Sequence, residues 1–185
     1  MARMADTRNR LLDAATEVLL RDGAQALTLE AVARQAQVSK GGLLYHFPSK
    51  QALVAGMVQR LVGQFDDALA RAGDEPGAAT RVYLAATVSP HHTAAGAQAG
   101  AQADRASAAL LAAALVEPDA LGPLRDVYRA WQKRLDQDGI DPAVATAVRL
   151  AVDGWWLARL LDLEPPGKGR HEDVFRVLST LIGRG

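Results

Sequence analysis

The sequence predicts an all-α fold. Apolar residues recur at three- and four-residue spacing along the chain, and no stretch alternates apolar and polar residues as a β-strand does. β-branched residues are sparse, whereas Ala and Leu, both good helix formers, are frequent. With 185 residues, 49% of them apolar, the chain can bury a full core in one large domain or two small ones.

The first three predicted helices have clear ends. Asp6 or Thr7 caps a first helix that stops at Gly23. Thr28 caps a second helix, and Ser39 caps a third. The expected core of this three-helix head is Val32, Ala36, Leu43 and Phe47.

The third helix contains residue types that do not favour its own stability. Gly41 and Gly42 lie inside it, and each costs about 1 kcal/mol relative to Ala. Lys40, and Lys50 after the Ser49 cap of the next helix, stand at the helix end where a cation is unfavourable. A closely approaching anionic surface explains both features, because free N–H groups and a lysine side chain together bind phosphate.

Tyr45 and His46 end this helix with groups that can hydrogen-bond to phosphates or base edges. Taken singly, a lysine in a first turn or a histidine beside a phenylalanine is more often an ordinary surface or structural residue. The combination with two glycines, Pro48 and two Ser caps favours a helix-turn-helix bound to DNA. The predicted DNA contacts are Thr28, Ser39, Lys40, Gly41, Gly42, Tyr45, His46 and Lys50.

The stretch AVARQAQVSKGGLLYHFPSKQALV resembles the DNA-binding signature of the TetR family of transcriptional repressors. The resemblance implies an all-helical homodimer with an N-terminal operator-binding head and a C-terminal helical domain that binds a small inducer. Gln37 stands where the family's turn often has Gly, which implies a left-handed conformation at Gln37. Leu44 stands where the family usually has an aromatic residue on the DNA, which leaves Tyr45 as the aromatic contact.

Charge is unevenly distributed, although the formal net charge is zero. Residues 1–60 carry eight basic and five acidic residues, so a modestly basic head precedes an acidic body. DNA affinity must then come from a few specific contacts in each head and from the presence of two heads in a dimer. The chain has no Cys, which excludes disulfides and thiolate metal sites and fits a cytoplasmic location. No signal peptide or membrane span is expected, nor any cofactor or metal.

The remainder of the chain is predicted as further helices. A long helix from Ser49 to about Ala72 has a broad apolar face, and residues 72–79 form a connection with two Gly and a Pro. We predict a helix-turn-helix domain over residues 1–50, a connecting helix over 51–72 and a ligand-binding and dimerisation domain over 73–185. The helices expected in that last domain are Thr80 to Val88, Asp104 to Val116, Pro118 to Gln137, Pro142 to Leu163 and His171 to Gly183.

The last two helices display more apolar surface than one small domain is expected to cover. In terms of the resemblance, they pair with their two-fold mates in a four-helix bundle. The dimer-interface candidates are Leu157, Leu161, Val174, Leu178 and Leu181.

Most aromatic residues lie in the C-terminal part, on helices rich in Ala, where bulky rings beside small residues leave room for a cavity. The ligand-pocket candidates are Tyr83, His91, His92, Tyr128, Trp131, Asp153, Trp155 and Trp156. For each ring, core packing is the alternative. For Asp153, a salt bridge to Arg149 one turn earlier is the alternative to contact with a ligand.

The sequence therefore predicts a cytoplasmic, sequence-specific repressor that binds a palindromic operator as a homodimer and is released by a small, largely apolar inducer. A helical protein-interaction module without DNA binding, and a small helical enzyme, remain open. The enzyme class is disfavoured because the chain has no Cys and no G-x-S-x-G. The adjacent pair His91 and His92 also lacks the i, i+4 spacing of a zinc helix.

Overall fold

The computed structural model describes residues 2–88, 94–116 and 118–184 of the chain. Regular structure within these ranges is helical, without a strand, which confirms the predicted all-α class. The α-helices are α1 (Ala2–Asp22), α2 (Leu29–Gln35), α3 (Lys40–His46), α4 (Lys50–Ala70), α5 (Ala78–Val88), α6 (Ala94–Val116), α7 (Gly122–Asp136), α8 (Pro142–Leu160) and α9 (Lys168–Ile182). None of the described helices is long and apolar enough to cross a bilayer.

Several helices begin earlier than the sequence predicts, α1 and α6 by the largest margins. α1 starts at Ala2, not at Asp6 or Thr7, because the Ala, Arg and Met residues ahead of Asp6 are strong helix formers. α6 starts at Ala94, where the sequence predicts an irregular segment as far as Asp104, because its many alanines outweigh the interior glycines.

The connection between α8 and α9 also differs from the prediction. Asp141 caps α8 as expected, since its carboxylate accepts a hydrogen bond from the Ala143 N–H at 2.8 Å. α8 ends at Leu160 instead of Leu163, and Asp162 just beyond has a φ of 54°. That left-handed conformation cannot continue a right-handed helix. α9 begins at Lys168, three residues before the predicted His171.

The chain divides into two compact units, and the first comprises residues up to Val62 together with 102–125. The four head residues predicted as core are all buried. The same cluster also contains Leu110, Ala113 and Ala114 of α6 and Ala120. The C-terminal part of α6 is therefore a component of the head's core. The predicted boundaries at residues 50 and 72 stay predictions.

α4 is fastened to α1 within the first unit. One guanidinium, that of Arg60, donates to Asp13 Oδ1 at 2.6 Å, to the Leu12 carbonyl at 3.0 Å and to Thr16 Oγ1 at 2.9 Å. Four buried residues of α4 face the same core: Leu53, Val54, Met57 and Val58. The first three turns of α4 therefore belong structurally to the head.

The second unit comprises residues 63–101 and 126–185, in which α5 packs against α8 and α9. Asp138, in the α7–α8 connection, is only 3% exposed. Its carboxylate accepts hydrogen bonds from the Ala79 N–H at 2.9 Å and from the Thr80 N–H and hydroxyl, both at 2.7 Å. The N-terminus of α5 is therefore capped by a residue from elsewhere in the chain.

Gly77 allows the close approach that this cap requires. Its φ is 77°, and its N–H donates to the Asp138 carbonyl at 2.7 Å. A Cβ at this position would lie 2.6 Å from Cγ2 of Ile182. Any residue larger than glycine would therefore push the end of α9 away from the start of α5.

Candidate nucleic-acid interface and pocket residues

The helix-turn-helix begins with the cap of α2. Thr28 Oγ1 accepts a hydrogen bond from the Ala31 N–H at 3.1 Å, which confirms the predicted cap. α2 buries Val32 and Ala33. The turn that follows contains Gln37 at a φ of 55°, the left-handed conformation that the sequence predicts. The chain therefore turns from α2 into α3 without using a glycine.

α3 has a buried side and an exposed side. Ser39 caps the helix, since its Oγ accepts from the Gly42 N–H at 3.1 Å. Leu43 is fully buried, whereas Tyr45 is 72% exposed. Gly41 and Gly42 are exposed as well. The side of α3 that carries the predicted DNA contacts is therefore open to solvent.

Packing within the described chain does not require a glycine at position 41, whereas at position 42 a larger residue would crowd the Ser39 cap. A Cβ at Gly41 would meet no atom within 4 Å, and one at Gly42 would lie 3.3 Å from Ser39 Oγ. Each glycine nevertheless costs the helix about 1 kcal/mol relative to Ala. A surface that approaches α3 from outside would explain why small residues stand here.

Lys40 is ion-paired across the helix-turn-helix. Its Nζ lies 2.6 Å from Oε1 of Glu30, in the first turn of α2. The pKa of the Glu30 carboxyl is held below its usual range, first by the hydrogen bond from Lys40, then by a backbone hydrogen bond and by Coulomb attraction to Lys40. Both side chains remain mostly exposed, at 61% and 58%. The phosphate contact assigned to Lys40 stays a prediction.

The remaining predicted contacts lie at the junction of α3 and α4. Ser49 Oγ accepts from the Ala52 N–H at 3.0 Å, so Lys50 stands in the first turn of α4 as predicted. The rings of Tyr45 and His46 meet edge to face with centroids 5.2 Å apart.

Two arginines of α1 brace the head, a role that sequence reasoning missed. Arg10 donates from Nη2 to the carbonyl of Ala36 at 3.1 Å, and Arg8 places its guanidinium carbon 5.2 Å from the centroid of the Phe47 ring. Both contacts join residues more than 20 positions apart. No local pattern in the sequence could have revealed them.

Four aromatic rings pack together in the second unit, and we call them the aromatic cluster: Phe65, Tyr83, Tyr128 and Trp131. The ring of Phe65 lies 4.5 Å from that of Trp131 and 4.8 Å from that of Tyr83, centroid to centroid. Tyr128 lies 5.0 Å from Trp131. Tyr83 and Trp131 are 2% and 4% exposed. In this conformation the rings therefore pack against one another as core residues, which was the alternative to lining a ligand pocket.

Asp153 lies at the polar edge of the aromatic cluster. Its Oδ1 accepts from the hydroxyls of Tyr83 at 2.5 Å and Tyr128 at 3.3 Å, and its Oδ2 accepts from Arg149 Nη1 at 2.9 Å. Arg149 Nε also donates to Gln132 Oε1 at 2.6 Å. The salt bridge considered for Asp153 is thus present, and the carboxylate is neutralised within the chain.

Burial makes both tyrosines weaker acids than usual. Burial first, and the Asp153 carboxylate second, raise the pKa of Tyr128 to about 12. The pKa of Tyr83 is raised still more, again chiefly by burial. At neutral pH both phenols therefore keep the proton that they donate to Asp153.

Trp155 and Trp156 are the remaining pocket candidates among the described residues. Trp155 is 7% exposed and packs edge to face on the ring of His171, centroids 4.7 Å apart. Trp156 is half-buried. His91 and His92 lie outside the described residues.

Comparison with protein families covers most of the chain. Residues 11–57 match the family described as bacterial regulatory proteins, tetR family. Residues 77–183, more than half of the chain, match the tetracyclin repressor-like C-terminal domain. The chain belongs to the TetR family. It is therefore a transcriptional regulator with a DNA-binding helix-turn-helix.

Individual relatives agree with the TetR assignment. Over 49 residues the chain is 41% identical to the HTH-type transcriptional regulator SrpR of Pseudomonas putida, a match that spans 26% of this chain and 23% of SrpR. A TetR-family structure from Streptomyces coelicolor A3 is 25% identical, with a TM-score of 0.66 over 95% of this chain and 97% of that one. The multidrug binding protein EbrR complexed with imidazole is also 25% identical, with a TM-score of 0.63 over 94% and 93%.

Exposed leucines lie on or next to both of the last two helices of this TetR-family chain. Leu157 is 38% exposed and Leu161, just past the end of α8, is 50% exposed, while Leu181 of α9 is 41% exposed. Val174 is half-buried. Two further exposed residues of these helices were not among the predicted interface candidates, Leu150 at 57% and Val177 at 59%. The seven-residue spacing between Leu150 and Leu157 was the signal available for the first.

Leu178 does not belong with these exposed residues. It is only 7% exposed in the single chain, so it packs mainly against the chain's own core, and its assignment to the dimer interface stays a prediction. The reason for its burial is the helix rotation: Leu178 and Leu181 are three residues apart, and the apolar face of α9 is wide enough to contact the core with one edge and solvent with the other.

Proposed function

We propose that this TetR-family regulator is a repressor that binds a palindromic operator as a homodimer, and that a small, largely apolar inducer releases it. The observation that carries the DNA part is the open side of α3, where a Cβ at Gly41 would meet no atom within 4 Å and Tyr45 is 72% exposed. The proposed contacts are the eight residues predicted from the sequence. Such a protein acts where the chromosome is, in the cytoplasm.

Selection from random duplexes tests the DNA part. The purified chain should enrich a palindrome whose half-sites are about one helical turn, or a multiple of it, apart. Affinity for the enriched duplex should fall steeply with salt, because phosphate contacts release counterions. Enrichment of no sequence, together with salt-independent binding, would favour the protein-interaction alternative.

The homodimer rests on the exposed face of α8 and α9. Its apolar side chains are those of Leu150, Leu157, Leu161, Val177 and Leu181, which are 38–59% exposed in the single chain. Covering them removes apolar surface from water, which is the main driving force for association. Sedimentation at micromolar concentration should show a dimer, and a monomer would contradict the proposal.

The inducer is proposed to bind in the C-terminal domain, near the aromatic cluster. Two observations support this: the rings of that cluster are concentrated around one neutralised carboxylate, and the relative EbrR is described as a multidrug binding protein. Because Arg149 already compensates Asp153, an apolar or neutral ligand suits the site better than a cation.

A ligand releases DNA only if it prefers a conformation whose two heads are wrongly spaced for the operator. A coupling free energy of about 1 to 3 kcal/mol suffices. α4 is the proposed lever, since Val62 ends the first unit and Gly63 begins the second within this one helix.

Tryptophan fluorescence tests the inducer. A library of hydrophobic compounds is titrated with and without operator, and at least one compound should both shift the emission and dissociate the DNA. If no compound does both, the proposed inducer is contradicted, whereas the proposed DNA binding is unaffected.

A further inference from the structure

The ion pair between Lys40 and Glu30 joins the two helices of the helix-turn-helix at the surface proposed to face DNA. Lys40 Nζ lies 2.6 Å from Glu30 Oε1, so the ammonium is already in contact with an anion. Both side chains are more than half exposed, which leaves the pair open to other ions. Lys40, one of the lysines proposed to bind a phosphate, is therefore already paired with a carboxylate in the absence of DNA.

We propose that Glu30 competes with the DNA backbone for the Lys40 ammonium and thereby lowers the affinity of the head for every duplex. The inference rests on the proposed function, since it concerns the same interface. It adds a residue that opposes DNA binding. Glu30 is proposed to lower the affinity for all duplexes equally and to have no effect on which sequence is preferred.

The competition follows from the charges. A phosphate oxygen that approaches Lys40 must displace the Glu30 carboxylate or share the ammonium with it, and the two anions repel each other. Lys40 also holds the pKa of Glu30 below its usual range, so Glu30 stays ionised at neutral pH. Exposed ion pairs of this kind are weak, so a phosphate can displace the carboxylate. Because the Glu30 pair is lost in the exchange, the Lys40–phosphate contact contributes less to the binding free energy.

Other acidic residues of the head contact different partners. Glu17 accepts a hydrogen bond from Gln35 at 2.6 Å, and Asp13 pairs with Arg60 at 2.6 Å. A change at Glu17 therefore removes the same charge from the same unit without touching Lys40. Glu17→Gln is the matched control for Glu30→Gln.

The DNA experiment measures binding of a labelled duplex by fluorescence anisotropy as salt is varied. Glu30→Gln should bind about two- to five-fold more tightly per head, the range expected when one exposed ion-pair competitor is removed. The gain should be similar on an operator and on an unrelated duplex, because phosphates carry no sequence information. Glu17→Gln should bind as the unchanged chain does.

A double-mutant cycle shows whether Glu30 acts through Lys40. In a Lys40→Gln background, Glu30→Gln should change affinity no more than Glu17→Gln does. If the gain persists at full size without Lys40, general charge is responsible and the inference is overturned.

A measurement without DNA tests the contact itself. The Glu30 carboxyl is titrated by carbon-detected NMR, and Lys40→Gln should raise its pKa back towards the ordinary glutamate range. An unchanged pKa would mean that the two side chains are not paired in solution, which overturns the inference whatever the DNA result.

The outcomes separate this inference from the function on which it rests. If the unchanged chain binds no duplex, the proposed function fails and the inference fails with it. If the unchanged chain binds and Glu30→Gln matches Glu17→Gln, only the inference fails.

Discussion

The carboxylate of Asp138 caps α5 by taking both the N–H and the hydroxyl of Thr80 on one oxygen, each at 2.7 Å. The two residues are 58 positions apart, and both are almost completely buried, at 3% and 0% exposed. The contact fixes the start of α5 to the connection between α7 and α8. It therefore ties together two segments of the second unit that are distant in sequence.

Asp138→Ala should lower the free energy of unfolding by about 3 kcal/mol, because three buried donors lose their acceptor. Chemical denaturation at fixed protein concentration, followed by circular dichroism, measures this. Asp136→Ala, an exposed acid two residues earlier, is the control and should change stability by less than about 0.5 kcal/mol. Equal effects of the two changes would show that the cap contributes little.

Stability should decrease in alkali through the aromatic cluster. Burial raises the pKa of Tyr128 from 10.0 to about 12, so between these values the folded chain keeps a proton that the unfolded chain has lost. The contribution is fully present below pH 10 and disappears as pH rises towards 12, with a slope below about 1.4 kcal/mol per pH unit because Tyr128 is partly exposed. Tyr83 adds a change in the same direction.

Denaturation at pH 8, 10 and 11 checks this alkaline slope. Tyr128→Phe should make the slope shallower, since the phenol that titrates is gone. A slope identical in Tyr128→Phe and the unchanged chain would show that another group is responsible.

Leu181→Glu should give folded monomers, because Leu181 is 41% exposed on the proposed dimer face. Sedimentation measures the mass, and circular dichroism confirms that helix content is kept. Leu115→Glu makes the same change at a leucine that is 65% exposed on α6 and should leave the dimer intact. Dimers of Leu181→Glu would remove this face from the interface.

Leu178→Ala should behave differently from a change on the dimer face. Leu178 is 7% exposed, so its truncation should cost about 2 to 5 kcal/mol of stability, as is typical of buried leucines. Thermal or chemical denaturation measures the loss. A variant as stable as the unchanged chain would place Leu178 outside the core after all.

Lys50→Ala and Tyr45→Ala should weaken DNA binding in different ways. Loss of Lys50 should reduce affinity for all duplexes about equally and make the salt slope shallower by about 0.9 per head. Loss of Tyr45 should also change which bases are preferred. Competition assays with single-base variants of the selected duplex distinguish the two. Lys133→Ala, on the exposed side of α7, serves as the control and should leave both affinity and slope unchanged.

Features decided within a few residues could be predicted from the sequence. The caps at Thr28, Ser39 and Asp141 are as expected, because a cap bonds to an N–H only two or three positions away. The left-handed Gln37 was implied by the family's turn. The caps and the turn of the candidate DNA surface are such features, so this part of its local geometry was predictable.

Features that depend on distant partners could not be predicted. Nothing near Asp138 indicates that it caps Thr80, and helical spacing alone cannot tell the buried Leu178 from the exposed Leu181. The pairing of Lys40 with Glu30 likewise depends on how the turn brings two helix ends together. Periodicity identifies an apolar face, but it does not say which part of that face meets the chain's own core.

Arg60 couples the orientation of α4 to that of α1. Its guanidinium donates hydrogen bonds to three atoms within one turn of α1, on Leu12, Asp13 and Thr16. Sliding of α4 along α1, or rotation of α4 about its own axis, would break these bonds. We therefore expect α1 to follow α4 when α4 changes its direction. In the proposed dimer, the separation of the two reading helices is then set by the angle of α4, and no rearrangement inside either head is needed to change it.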